Sequence, residues 1–136
     1  MHTYKTVYSL YSAIECFLIV ILIEAKEVII RMAFKLLQIN FPFNGPWGDE
    51  MAQAYSELAH KLSETPGLLW KIWIENSNAG ETGGIYLFED ESSLDTFLTE
   101  HIARLNSFGI ENISAKKFDV NEPLTQITRG KLKQLS

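Results

Sequence analysis

The sequence predicts an α+β domain, a four-stranded antiparallel sheet with two helices on one face, in the order β-α-β-β-α-β. Three observations carry this. Four short segments alternate side chains with a period of two, and two longer ones repeat apolar residues at helical spacing. The helical segments lie between the first and second strands and between the third and fourth, whereas only a polar run, Asn76 to Gly84, joins strands two and three. Hydrophobic residues make up 46% and charged residues 21% of 136, enough for one globular core and unlike a disordered chain.

Ala33 to Phe41, AFKLLQINF, alternates as a strand, with Leu37, Ile39 and Phe41 on one side and Leu36, Gln38 and Asn40 on the other. PFNGPWG then breaks the pattern with two prolines and two glycines. Asp49 is the expected N-cap of a helix whose apolar positions are Met51, Ala52, Tyr55, Leu58, Ala59 and Leu62, ending before Pro66-Gly67. LLWKIWIE is the second strand and Ile85 to Phe88 the third. Asp90 to Ser93 offers cap chemistry for a second helix with the stripe Leu94, Phe97, Leu98, Ile102 and Leu105, and Gly109 as its stop. A fourth strand covers Ile113 to Val120, and the tail as far as Leu135 is expected to pack along an edge. This order is the ferredoxin-like arrangement.

Simple alternation assigns the two faces. Leu68, Trp70, Ile72 and Ile74 form the all-apolar side of the second strand and are expected under the helices, with Ile85 and Leu87 beside them. The opposite side of the second strand carries Leu69, Lys71, Trp73 and Glu75, so Trp73, Tyr86, Phe88 and Phe118 are expected together on the open face, an apolar patch that monomers rarely tolerate. A second copy in a two-fold dimer is the expected cover, with Trp73, Phe88 and Phe118 in the interface.

Residues 1–31 differ from the rest. CFLIVILI, Cys16 to Ile23, falls far short of the roughly 20 apolar residues of a membrane span. A signal peptide is poorly supported, since only His2 and Lys5 precede the apolar run and no cleavage pattern follows it. Lys26-Glu27-Val28 is what a ribosome-binding sequence of the AAGGAGGT type would encode, and Met32 follows shortly after. Residues 1–31 are therefore read as translated upstream sequence, with an authentic extension or anchor as the alternative, and residues 32–136 as the domain.

The formal charge of −5 leaves no basic face for nucleic acid or anionic lipid, and a cytoplasmic location is expected. GGIYLFED resembles the aromatic strand of RNA-recognition domains, but the acidic charge and the lack of a basic residue before Gly83 argue against that function. Cys16 is the one cysteine and builds no disulfide framework. The histidines are too isolated to suggest a metal site, and no P-loop or GxGxxG is present. No cofactor is expected.

Several residues have both a structural and a chemical reading. His101 falls on the sheet-facing stripe of the second helix and is either an edge-of-core group or the best available proton acceptor. Arg104, one turn later, either forms a surface ion pair or holds an anionic ligand oxygen. Tyr55 packs in the core or offers its hydroxyl to a pocket. Trp70 fills the core or walls a pocket. Asn44 and Trp47, in FNGPWGD, serve the turn or form a pocket lip. His60 is off its helix's apolar stripe and reads as exposed.

The strings NGPWGD, PGLLWKIW, GGIYLFED, EHIARL and AKKFDVNEPLTQI, in that order, resemble the YdhR-type monooxygenases, a group of small bacterial dimeric α+β barrel proteins. The resemblance spans Met32 to about Leu132, and such proteins typically start where Met32 stands. It implies a homodimer whose sheets face one another. It also implies kinship with cofactor-free oxygenases of aromatic polyketides and quinols. Asn44, Trp47, Trp70, Trp73, Tyr86, His101, Arg104 and Asp119 are the matching motif positions. The expected function is a cofactor-independent monooxygenase of a small aromatic or phenolic compound, with His101 as base, Tyr55 or Arg104 as donor, and Asn44, Trp47, Trp70 and Tyr86 around the substrate. The alternative is a non-catalytic binding protein for a small hydrophobic molecule.

Overall fold

The computed structural model describes residues 2–133, with side chains placed over 9–26 and 33–133. The chain divides into two compact units, Met1–Met32 and Ala33–Ser136. The first is a single helix, α1 (His2–Met32), over a segment for which the sequence suggested no fold. Among the described residues no helix is long and apolar enough to cross a membrane.

The second unit runs β1 (Lys35–Pro42), α2 (Gly48–Ala54), α3 (Ser56–Ser63), β2 (Leu68–Asn76), β3 (Glu81–Phe88), α4 (Glu91–Ser107), β4 (Ser114–Asp119) and α5 (Glu122–Ile127). The strands form one sheet in the order β2-β3-β1-β4, every neighbouring pair antiparallel. This is the ferredoxin-like sheet, with the helices of the two crossovers on one face. Part of the expected tail is helical, as α5; residues 134–136 lie outside the described residues.

Directly opposed residues of an antiparallel pair share a face. Leu37, Ile39 and Phe41 of β1 therefore set the buried side, opposite Tyr86, Gly84 and Thr82 of β3. Leu94, Phe97, His101 and Leu105 of α4 close over it, with Leu62 from α3 and Leu68 from β2. Asp90 caps α4 as expected, its carboxylate accepting the Ser93 N–H at 2.7 Å.

The face assignment of two strands is corrected. On β2, Leu68 pairs with Phe88 and Trp70 with Leu87, which leaves Leu69 as an extra residue in a β-bulge. Beyond it the phase inverts. Lys71 and Trp73, opposite Tyr86 and Gly84, face the helices, while Trp70, Ile72 and Ile74 turn to the open face. On β3, Tyr86 and Phe88 are 1% and 0% exposed beneath the helices, and Ile85 and Leu87 face the other way. Trp73 and Phe88 are thus not on the open face, and Trp70 is not between sheet and helices. Alternation failed on β3 because both of its faces are apolar from Ile85 to Phe88; only its register with β1 fixes which is which. Phe118 is on the open face as expected, opposite Leu36 and 46% exposed. Trp70 also finds its hydrogen-bond partner there, donating its indole N–H to the Lys131 carbonyl at 2.8 Å.

Three boundaries differ from expectation. The first helix begins at Gly48 rather than after Asp49, because the Glu75 carboxylate of β2 accepts the Gly48 N–H at 3.1 Å and 3.2 Å and does the work of a cap. That helix breaks at Tyr55, whose ψ of 13° interrupts it between α2 and α3. The third strand starts at Glu81, four residues early. Gly83 looks like turn sequence but belongs in the strand, since a Cβ there would sit 1.9 Å from the Ile39 carbonyl oxygen.

Candidate functional site

A cavity of about 140 Å³ lies between the helix-facing side of the sheet and the α2, α3 and α4 side chains. Phe41, Phe43, Met51, Leu58, Leu105, Phe108 and Ile110 make it apolar. Four residues bring polar chemistry to the same space: Tyr55 from the α2–α3 break, Lys71 from β2, Tyr86 from β3 and His101 from α4. Thr82 also lines it, but its hydroxyl donates to the Ile74 carbonyl at 2.7 Å.

His101 lies on the sheet-facing stripe where the sequence placed it and is 3% exposed, whereas Ile102, expected in the same stripe, is only half-buried. Its ring stacks on Phe97 at 4.8 Å between centroids, which fixes its plane. Arg104, one helical turn on, donates from Nη1 to His101 Nδ1 at 2.8 Å. A guanidinium only donates, so Nδ1 carries the lone pair and Nε2 the proton of a neutral imidazole. Nε2–H is 3.2 Å from the Tyr86 hydroxyl oxygen and donates to it. The Tyr86 hydroxyl hydrogen is thereby left for the cavity. The surrounding charge agrees with a neutral ring. Burial first, then the Lys71 and Arg104 cations, hold the His101 pKa down to about 3. Burial likewise pushes the Tyr86 phenol well above its ordinary value, against a smaller opposite pull from Arg104.

Lys71 enters the site over aromatic faces. Its Nζ lies 3.3 Å from the Trp73 ring centroid and 4.8 Å from that of Tyr86, a cation–π arrangement on two rings. Burial, and then Arg104, bring its pKa down to about 7. Gly84 makes the room: a Cβ there would fall 2.7 Å from Lys71 Cε and 2.9 Å from the Tyr86 ring. Among the described residues no group of three or more His, Cys, Asp or Glu comes together to hold a metal ion.

Residues 36–131 match the model of the family described as "Putative mono-oxygenase ydhR". The chain belongs to that family. Among solved structures, it is similar to SnoaB, a cofactor-independent oxygenase from Streptomyces nogalater. That match has 13% identity and a TM-score of 0.49, covering 65% of this chain and 94% of that one. It is also similar to a monooxygenase from the gene ActVA-Orf6 of Streptomyces coelicolor, solved with Nanaomycin D, at 18% identity and TM-score 0.47, covering 67% and 89%. The NE2512 protein of Nitrosomonas europaea, of unknown function, matches at 14% identity and TM-score 0.47, covering 67% and 92%. No curated protein matches the chain.

In this ydhR-family chain the site residues read from the sequence fall into two groups. Tyr55, Tyr86 and His101 meet in the cavity, and Arg104 stands behind His101. Trp47, Asn44 and Trp70 do not line it. Trp47 packs edge-to-face on Phe43 at 5.4 Å, one layer out, and Asn44 is exposed. Asp119 pairs with Lys35 at the sheet edge. Trp73, expected in an interface, lines the cavity at its rim instead, 39% exposed. The sequence reading missed Lys71, which alternation had placed on the open side. A lysine between two tryptophans on a strand was the available signal.

Proposed function

We propose that this ydhR-family monooxygenase acts without a cofactor on a small aromatic or phenolic compound. The observation that carries this is the row of donors Arg104, His101 and Tyr86, which ends in a hydroxyl aimed into an apolar, aromatic-walled cavity. In such a reaction the substrate itself reduces oxygen. Loss of a proton makes an electron-rich anion, which passes an electron to O₂; recombination gives a peroxide. Loss of water then leaves one oxygen atom in the product and sends the other out with two substrate hydrogens. The site must hold negative charge on a substrate oxygen, and fixed donors in a dry cavity do so without reorganising. Tyr86 fills that role, with His101 and Arg104 fixing its hydroxyl. His101 itself, with both nitrogens engaged, positions Tyr86 rather than taking the proton. Tyr55 supplies a second hydroxyl.

The open face supports a homodimer. Ile72 is 52% exposed there beside Trp70 and Ile74 on one edge strand, Phe118 is 46% exposed on the opposite edge strand, and a second copy would bury them. Sedimentation should give twice the chain mass.

Oxygen-electrode assays on anthrone- and quinol-type compounds, with no added cofactor, test the activity. Uptake of one O₂ per product, greatly reduced in Tyr86→Phe, is expected. No uptake across a panel that nevertheless binds would leave a binding protein for small hydrophobic molecules.

A further inference from the structure

Lys71 is the group in this cavity that the donor row does not use. Its amine is brought among aromatic rings, yet among the described residues no carboxylate pairs with it and no acceptor receives its hydrogens. The titratable and charged groups facing it are Tyr86 from β3, His101 and Arg104 from α4 and Tyr55 from the α2–α3 break. None of these brings a negative charge. Glu75, four residues along the same strand, is turned to the Gly48 N–H. A buried amine without an anion beside it is a place for one.

We propose that the Lys71 amine takes the proton of a ligand hydroxyl and then, as ammonium, holds the resulting oxyanion, so that the cavity selects aromatic compounds with an ionisable hydroxyl. The step balances: the ligand O–H bond breaks, its electron pair stays on oxygen, and an N–H bond forms on Nζ. Neutral amine and neutral phenol become ammonium and phenolate, with no oxidant consumed. A phenolate meeting a protonated Lys71 reaches the same complex. The Tyr86 hydroxyl is the second donor to that oxygen. A lysine whose pKa lies near 7 suits the exchange, since neither protonation state is far out of reach at neutral pH. The proposal rests on the aromatic-ligand reading above but not on any reaction with oxygen.

The test uses 4-nitrophenol, whose phenolate absorbs in the visible and whose neutral form does not, in oxygen-free buffer at a pH where the free probe is mostly protonated. Bound to the full chain it should turn to the phenolate spectrum. An adjacent opposite charge moves an acid by about one pKa unit or more, so Lys71→Met should lower the ionised-to-neutral ratio of bound probe about tenfold. Lys71→Gln serves if Lys71→Met does not fold. Lys71→Arg, which keeps the charge, should retain the phenolate spectrum, and 4-nitroanisole, which has no proton to give, should bind more weakly than 4-nitrophenol. A neutral-phenol spectrum with the wild-type chain, no binding of the probe, or an undiminished phenolate band in the neutral variants would each overturn the proposal, as would a Lys71→Arg chain that behaves like Lys71→Met. A phenolate band without oxygen uptake on the substrate panel would keep this proposal and reject the oxygenase.

Discussion

Replacing Lys71 with methionine should make the protein more stable at neutral pH, and the gain should disappear in alkali. The amine's pKa falls from 10.5 to about 7 in the folded chain, chiefly through burial. At ~1.36 kcal/mol per unit, that drop corresponds to about 5 kcal/mol of penalty on the charged form. The Trp73 and Tyr86 faces return about 1–2 kcal/mol of cation–π attraction, leaving about 3–4 kcal/mol. The direction follows from the two states. Above 10.5 the lysine is neutral folded and unfolded, and costs nothing. As pH falls below that, the unfolded chain binds a proton that the folded chain refuses, and stability drops until the folded pKa is passed; below it the cost is complete. Urea unfolding of wild type and Lys71→Met across this range isolates the residue, because His101, the neighbour whose pKa the Lys71 charge lowers, stays neutral throughout it. The difference should narrow by about 3–4 kcal/mol from neutral pH to about pH 10.5. Parallel curves would mean that the amine reaches water freely and that its place in the cavity is misjudged.

Gly84→Ala should crowd Lys71 and the Tyr86 ring, lowering stability by about 1–3 kcal/mol in thermal melts and weakening binding of aromatic probes in titrations. His101 is held neutral, its pKa down to about 3, so stability should be intact above 6.5 and fall as the pH drops from 6.5 toward 3; His101→Gln should flatten the fall in urea midpoints taken between neutral and acid pH. Trp70→Phe keeps an aromatic ring, though a smaller one, and loses the hydrogen bond to the Lys131 carbonyl. It should cost about 0.5–1.5 kcal/mol and quicken tryptic cleavage after Arg129 and Lys131.

What the sequence made legible was whatever depends on neighbours in the chain. The order of elements, the Asp90 cap and the stop at Gly109 come from local chemistry, and all three are in the structure. His101 was legible as a sheet-facing helix residue because its spacing from Leu94 is helical. The rest depends on partners far along the chain. Glu75 caps a helix 27 residues before it, Gly83 is strand because of the Ile39 carbonyl, and Lys71 is in the cavity because of a bulge that only pairing with β3 defines. Tyr86 was carried into the substrate set by resemblance while alternation pointed it the other way; its register opposite Leu37 resolves the conflict in favour of the cavity.

The single unpaired residue at Leu69 acts on β2 as a frameshift acts on a message. Everything before it keeps its meaning, and everything after it is read on the opposite side. Were Leu69 to take a regular place in the ladder instead, Trp70, Ile72 and Ile74 would turn to the interior and the amine of Lys71 would turn outside, with no change in amino-acid composition. The reagent inside such a cavity is therefore governed by how one residue pairs as much as by side-chain identity. Two chains that match letter for letter along β2, one with this residue bulged and one with it paired, would carry unrelated chemistry inside.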